Sequence, residues 1–162
     1  MLDNKENIFF SPLLEDLLQN GNVIQILLTG YSMFPFLMHG DTVQISAVDT
    51  EKLKCGDIVV FKVNNRWIAH RLIKKNIVQN IFYTRGDAMM CKDLPVNQGQ
   101  IKGIVIKAVK SRCKLSRFAT GKCSRYIAFF SPVISPVFYL IFCLSGALSK
   151  LKKCLLKIFQ QK

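Results

Sequence analysis

The chain has 162 residues, 50% of them hydrophobic, and a formal net charge of +13. That length suits one domain of about 100 to 150 residues with an appendage, enough for a real core but not for a second domain of the same size. All 10 acidic residues fall within the first 100 positions, beside 10 lysines and arginines, whereas the last 62 residues carry 13 cations and no acid, so two differently built parts meet near residue 110.

Residues 1–21 do not read as a secretory signal, because Asp3, Lys5, Glu6, Glu15 and Asp16 interrupt the apolar positions. Ser11-Pro12-Leu13-Leu14-Glu15 instead has the order of a helix start, with serine as cap and proline in the first turn. Asn20-Gly21 is a stop. The expectation is one short amphipathic helix of about ten residues, packed on the core or lying on a membrane surface and too short to span a bilayer.

From residue 22 to 110 the pattern changes to short β-type runs separated by Gly-Asp and Asn-rich turns. The runs 23–28, 42–47, 58–63, 67–73, 77–84 and 101–109 are rich in branched and aromatic side chains and have strand length. Asn64-Asn65 between two of them signals a hairpin. The fold class expected is mainly β, a twisted antiparallel and partly closed domain.

Residues 111–126 read as a basic linker. Residues 127–148 follow as 22 positions without a charge, bordered by Lys122, Arg125, Lys150, Lys152 and Lys153. That matches the roughly 20 residues that cross about 30 Å of hydrocarbon, so a single C-terminal membrane segment is expected, with Pro132 and Pro136 bending it or turning it back. Residues 149–162 form a basic amphipathic tail suited to an anionic lipid surface. Nucleic acid is the rival acidic partner and is not expected, since the cations flank an apolar run without the interleaved aromatics of a strand-binding groove.

Six cysteines, at 55, 91, 113, 123, 143 and 154, show no paired spacing and no histidine placed to complete a zinc site. Neither metal nor disulfide is expected. The chemistry-bearing residues lie elsewhere. Gly30-Tyr31-Ser32-Met33-Phe34-Pro35 is followed 38 positions after its serine by His70, one of only two histidines. A serine hydroxyl is a poor nucleophile until a neighbouring base takes its proton, so this pair points to a serine peptidase.

The order of motifs carries a family likeness. Gly30 to Pro35, His39-Gly40-Asp41, Cys55-Gly56-Asp57-Ile58-Val59-Val60-Phe61, Ala69-His70-Arg71-Leu72-Ile73, and Thr84-Arg85-Gly86-Asp87-Ala88 with Asp93 together resemble the type I signal peptidases and the wider clan of LexA-like self-cleaving peptidases. The likeness covers residues 22–110. His70-Arg71 resembles the endoplasmic-reticulum and archaeal type, which carries histidine followed by arginine where the bacterial type has lysine. The resemblance implies Ser32 as nucleophile, His70 as general base and Asp93 as the acid that orients the imidazole, with Asp87 close by as a second carboxylate. It also implies Gly30, Tyr31, Met33 and Pro35 around the oxyanion and substrate sites, no cofactor, and an extended signal or leader peptide as substrate.

Two departures stand out. The family usually carries serine two positions before the nucleophile, where Gly30 stands, leaving the Ser32 amide and Thr29 as candidate oxyanion donors. The anchor follows the catalytic domain instead of preceding it. The sequence is thus read as a membrane-attached serine endopeptidase of a bacterial or archaeal cell membrane. The active site is expected on the cytoplasmic side if no signal precedes it; seven cations before the span and five after it leave orientation open. A catalytically silent peptide-binding module and a basic membrane-surface adaptor are the competing readings. Asp41 and Asp57 are read as turn-formers and His39 as a solvated side chain.

Overall fold

The computed structural model describes residues 6–111, 114–121 and 124–129 together with 136, 137 and 140, with backbone alone at 6–11 and 117. A helix, α1 (Glu6–Gln19), precedes seven strands. They are β1 (Ile24–Leu27), β2 (Thr42–Ser46), β3 (Ile58–Val63), β4 (Arg66–Asn76), β5 (Ile81–Arg85), β6 (Val96–Asn97) and β7 (Ile101–Lys110). They form one antiparallel sheet in the order β1-β2-β7-β3-β4-β5-β6.

Strand alternation divides the apolar side chains between two cores. In β3, Ile58 and Val60 join Val43, Ile45 and Val105 on one face, while Val59 and Phe61 join Leu72, Phe82 and Val96 on the other. A strand buried on both sides reads as a continuous apolar run, which is what residues 58–61 present. Each such side chain removed from water contributes about 1.5–3 kcal/mol. Leu14, Leu17 and Leu18 of α1 pack on the first core, so the helix lies on the protein rather than apart from it.

The helix differs from its expected start. It runs from Glu6, which leaves Pro12 inside it instead of in the first turn. An interior proline forfeits one N–H and crowds the carbonyl four residues before it, so Pro12 weakens the helix although the element carries on past it. The end falls where expected: Gly21 and Asn22 donate to the carbonyls of Leu18 and Leu17, the paired closure of a Schellman stop.

Asn64 and Asn65, at φ 48° and 61°, form the two-residue turn whose twist matches a right-handed hairpin. The second hairpin differs from expectation, because β4 continues to Asn76 and Ile77 to Asn80 form its tip, not a strand. The Asn76 carboxamide closes that tip by bonding Gln79 twice, and Val78 is 94% exposed there. Residues 111–126, expected as a linker, contain a 3-10 helix (Lys114–Phe118) and the first turn of a helix at 124–129. Small buried side chains, Ser116, Ala119, Ser124 and Ala128, are those by which residues 114–121 and 124–129 pack on the sheet domain.

The expected membrane segment, 127–148, lies mostly outside the described residues, and the tail 149–162 lies wholly outside them. Among the described residues no helix is long and apolar enough to cross a membrane.

Candidate active site

Ser32 sits in the loop between β1 and β2. Backbone bonds from Phe34 to the Tyr31 carbonyl, and from Phe36 and Leu37 to that of Met33, coil the loop. Met33, Pro35 and Leu37 are buried, which nails its inner side to the first core and leaves Tyr31 exposed and Ser32 half-buried. The loop's base is closed by Leu28 donating to the Asp41 carbonyl and Gly40 to that of Leu28. Asp41 itself is fully buried, its carboxylate accepting the Met38 amide at 2.9 Å and the Ser111 hydroxyl at 2.8 Å.

His70 comes from the middle of β4, opposite Val59 of β3. Phe61 meets its ring edge-on with centroids 6.2 Å apart. Its Nε2 lies 2.9 Å from the Ser32 Oγ, and its Nδ1 lies 2.7 Å from the Asp93 Oδ2. Asp93 follows β5 and is held twice by Thr84: the Asp93 amide donates to the Thr84 carbonyl at 2.9 Å, and the Thr84 hydroxyl donates to Oδ2 at 2.6 Å.

Burial pushes the Asp93 carboxyl upward, but the His70 hydrogen bond and charge, with the Thr84 hydroxyl, outweigh it and hold the group below its ordinary value of 3.8. An ionised carboxylate only accepts, so the proton of a neutral imidazole belongs on Nδ1. That leaves the Nε2 lone pair facing the serine hydroxyl. Hydroxyl, imidazole and carboxylate thus form one directional hydrogen-bonded chain able to draw the proton from Ser32.

Asp87 stands elsewhere. Its two oxygens accept Nε and Nη2 of Arg71, each at 2.7 Å, in a pair buried to 0% and 3% side-chain exposure. It is therefore a structural anchor of the loop, while Asp93 alone of the two bonds the imidazole. Asp57 accepts the Lys54 amide at 2.8 Å within its turn, and exposed His39 tilts against Tyr31 with ring centroids 5.9 Å apart.

Two groups to which the motif gave no role of their own hold Ser32 from behind. The Ala88 amide donates to the Ser32 carbonyl at 2.8 Å. Gly86 packs so closely that a Cβ there would lie 2.6 Å from the Ser32 oxygen and 3.0 Å from its Cβ. Gly86 also opens a turn, its carbonyl accepting the Met89 amide at 3.0 Å, so the Gly86-Asp87 pair reads as a turn signal and hides the close backbone approach that a glycine at a strand end permits.

The hydroxyl–imidazole pair opens onto a groove of about 520 Å³ lined largely by apolar residues, among them Leu14, Ile26, Leu28, Met33, Leu37 and Trp67. Four strand spacings separate β1 from β4, about 19 Å in a flat sheet, yet both line this groove, so the sheet is curled. Gly30 also lines it, at φ 93°, a backbone that L side chains rarely adopt; the residue that departs from the family pattern serves the turn. Met33 contributes to the floor, whereas Pro35 and Tyr31 do not line the groove.

Among the described residues no group of three or more histidines, cysteines or carboxylates is placed to hold a metal ion. Cys55 and Cys91 are exposed thiols. No family model, curated protein or solved structure matches the chain.

Proposed function

We propose that the chain is a membrane-attached serine endopeptidase that cleaves signal or leader peptides by a Ser-His-Asp mechanism, in the manner of the type I signal peptidases it resembles. The observation that carries this reading is the Ser32–His70–Asp93 chain of hydrogen bonds at 2.9 and 2.7 Å opening onto an apolar groove. The curl that lets β1 and β4 share the groove supports kinship with the signal-peptidase and LexA-like domains. Residues 127–148 supply the anchor on this reading, because 22 uncharged positions suffice to span hydrocarbon.

The substrate lies extended in the groove. Ser32 Oγ attacks the scissile carbonyl carbon as His70 Nε2 takes its proton; the tetrahedral adduct collapses when Nε2 returns that proton to the leaving amine. The resulting ester on Ser32 is cleared by a water that Nε2 deprotonates. Ionised Asp93 stabilises the imidazolium formed in both halves. The Ser32 amide is the backbone donor this reading assigns to the developing oxyanion.

Full-length chain in detergent micelles, incubated with a leader peptide, tests the reading by mass-spectrometric product analysis. Wild type yields two fragments and a trappable acyl-enzyme, and Ser32→Ala and His70→Ala yield neither while retaining peptide binding. Cleavage that survives Ser32→Ala rejects the mechanism, and binding with no cleavage by any form favours the silent peptide-binding module.

A further inference from the structure

Arg71 follows the histidine of the relay and is completely buried. Its guanidinium joins four separate parts of the chain. Nε and Nη2 grip Asp87, while the two hydrogens on Nη1 are shared among the Gly56 carbonyl at 2.8 Å, the Ala119 carbonyl at 3.0 Å and the Ser124 hydroxyl. Its Cζ lies 5.7 Å from the centre of the Phe36 ring, in the loop that carries Ser32.

The Ser124 hydroxyl also contacts the carbonyls of Gly56 and Ala119, the latter at 3.0 Å, and Ser124 is 1% exposed. Gly56 makes room for it. With φ at 103°, a Cβ at Gly56 would lie 2.8 Å from the backbone of Ser124 and Arg125. The stretch leading into residues 127–148 is therefore seated in a cradle whose floor is Arg71. Through Asp87, the same arginine fixes the loop whose Ala88 amide holds Ser32 and whose Asp93 holds His70.

We propose that Ser124 is a positioning residue, acting through Arg71, so that Ser32, His70 and Asp93 are in register only while Ala119 and Ser124 are seated in the Gly56–Arg71 cradle. The active site is thereby coupled to the segment that precedes the proposed membrane anchor. The coupling rests on the peptidase reading for its catalytic consequence, but not for its geometry.

Arg71 is not the residue to change, because its loss leaves Asp87 charged and unpaired in the core. The test uses Ser124→Ala, Ser124→Thr and Gly56→Ala in the full-length chain, with three readouts: cleavage kinetics, amide hydrogen exchange across 86–93 and 114–125, and the proton resonance of the His70 Nδ1–H in ¹⁵N-histidine-labelled protein. Ser124→Ala and Gly56→Ala speed exchange in 114–125 and at Ala88, shift the Nδ1 proton upfield, and lower kcat by about 10- to 100-fold with KM unchanged. Ser124→Thr, which keeps the hydroxyl, restores all three.

A freed 114–125 stretch with wild-type kcat and an unmoved Nδ1 resonance overturns the proposal. So does unchanged protection of that stretch in Ser124→Ala, since the hydroxyl then does not hold it. Failure of the peptidase reading shows separately, as cleavage that persists in Ser32→Ala; the exchange and resonance readouts still decide the coupling in that event.

Discussion

Gly86→Ala tests the site from behind Ser32. The added methyl group lies 2.6 Å from the Ser32 carbonyl oxygen, 2.9 Å from Met89 Cγ and 3.0 Å from Ser32 Cβ. Ordinary contact begins near 3.4 Å, so the loop carrying Ser32 must retreat by about 0.8 Å, and Met89 can yield only part of that because the oxygen is backbone. Gly86 does not occupy the left-handed region, so the penalty is steric alone. Overpacking of this kind costs about 1–3 kcal/mol of stability, and a misplacement near 1 Å lowers turnover by about 10². Leader-peptide cleavage gives kcat and KM separately, and urea unfolding gives the stability loss. Gly99→Ala is the control, since nothing lies within 4 Å of a Cβ there. Turnover in Gly86→Ala equal to that of the control refutes the claim that this close approach fixes the nucleophile.

Asp93→Asn removes the carboxylate that sets the imidazole tautomer, and kcat is expected to fall by up to about 10⁴ with KM little changed; an undiminished rate excludes Asp93 as orienter. The sheet domain should lose stability at acid pH. Asp93 and Glu15 have carboxyls lowered from 3.8 and 4.5, so their stabilising effect is complete above those values and disappears only as pH falls through the lower folded ones. Urea midpoints that fall as steeply with acid in Asp93→Asn and Glu15→Gln as in wild type would contradict this. Glu15→Gln weakens the bonds that tie α1 to Lys62 at 2.7 Å and Lys102 at 3.0 Å, lowering stability by about 1 kcal/mol; an unshifted urea midpoint assigns the helix's attachment to its leucines alone. Breaking the buried pair with Asp87→Asn should cost about 3–5 kcal/mol, as read by thermal unfolding; an unshifted transition would reject Asp87 as the anchor of its loop.

Much of this domain was legible from local chemistry. Branched runs marked β1 to β5 and β7 within a few residues, and paired asparagines marked the first hairpin, because side-chain period and turn conformation are local properties. The second hairpin was misjudged at Ile77 and Val78, whose branched side chains favour strands but stand exposed beyond the Asn76–Gln79 closure. β6, only two residues long, offers no period to detect. Ser32, His70 and Asp93 could be singled out by motif order, yet the distinct duties of the two aspartates depend on which loop face each presents. Arg71 was hidden for a related reason. An arginine in a β run ordinarily reads as solvent-facing, and only tertiary structure reveals acceptors arriving from Gly56, Asp87, Ala119 and Ser124.

The hydrogen-bonded relay joins residues 38 and 23 positions apart, and β1 and β2, which flank Ser32, reach β3 and β4 only through β7. A growing polypeptide on the ribosome, or any fragment ending before position 93, accordingly lacks the full set of reacting groups. On the proposed peptidase reading, proteolytic competence is a late product of maturation.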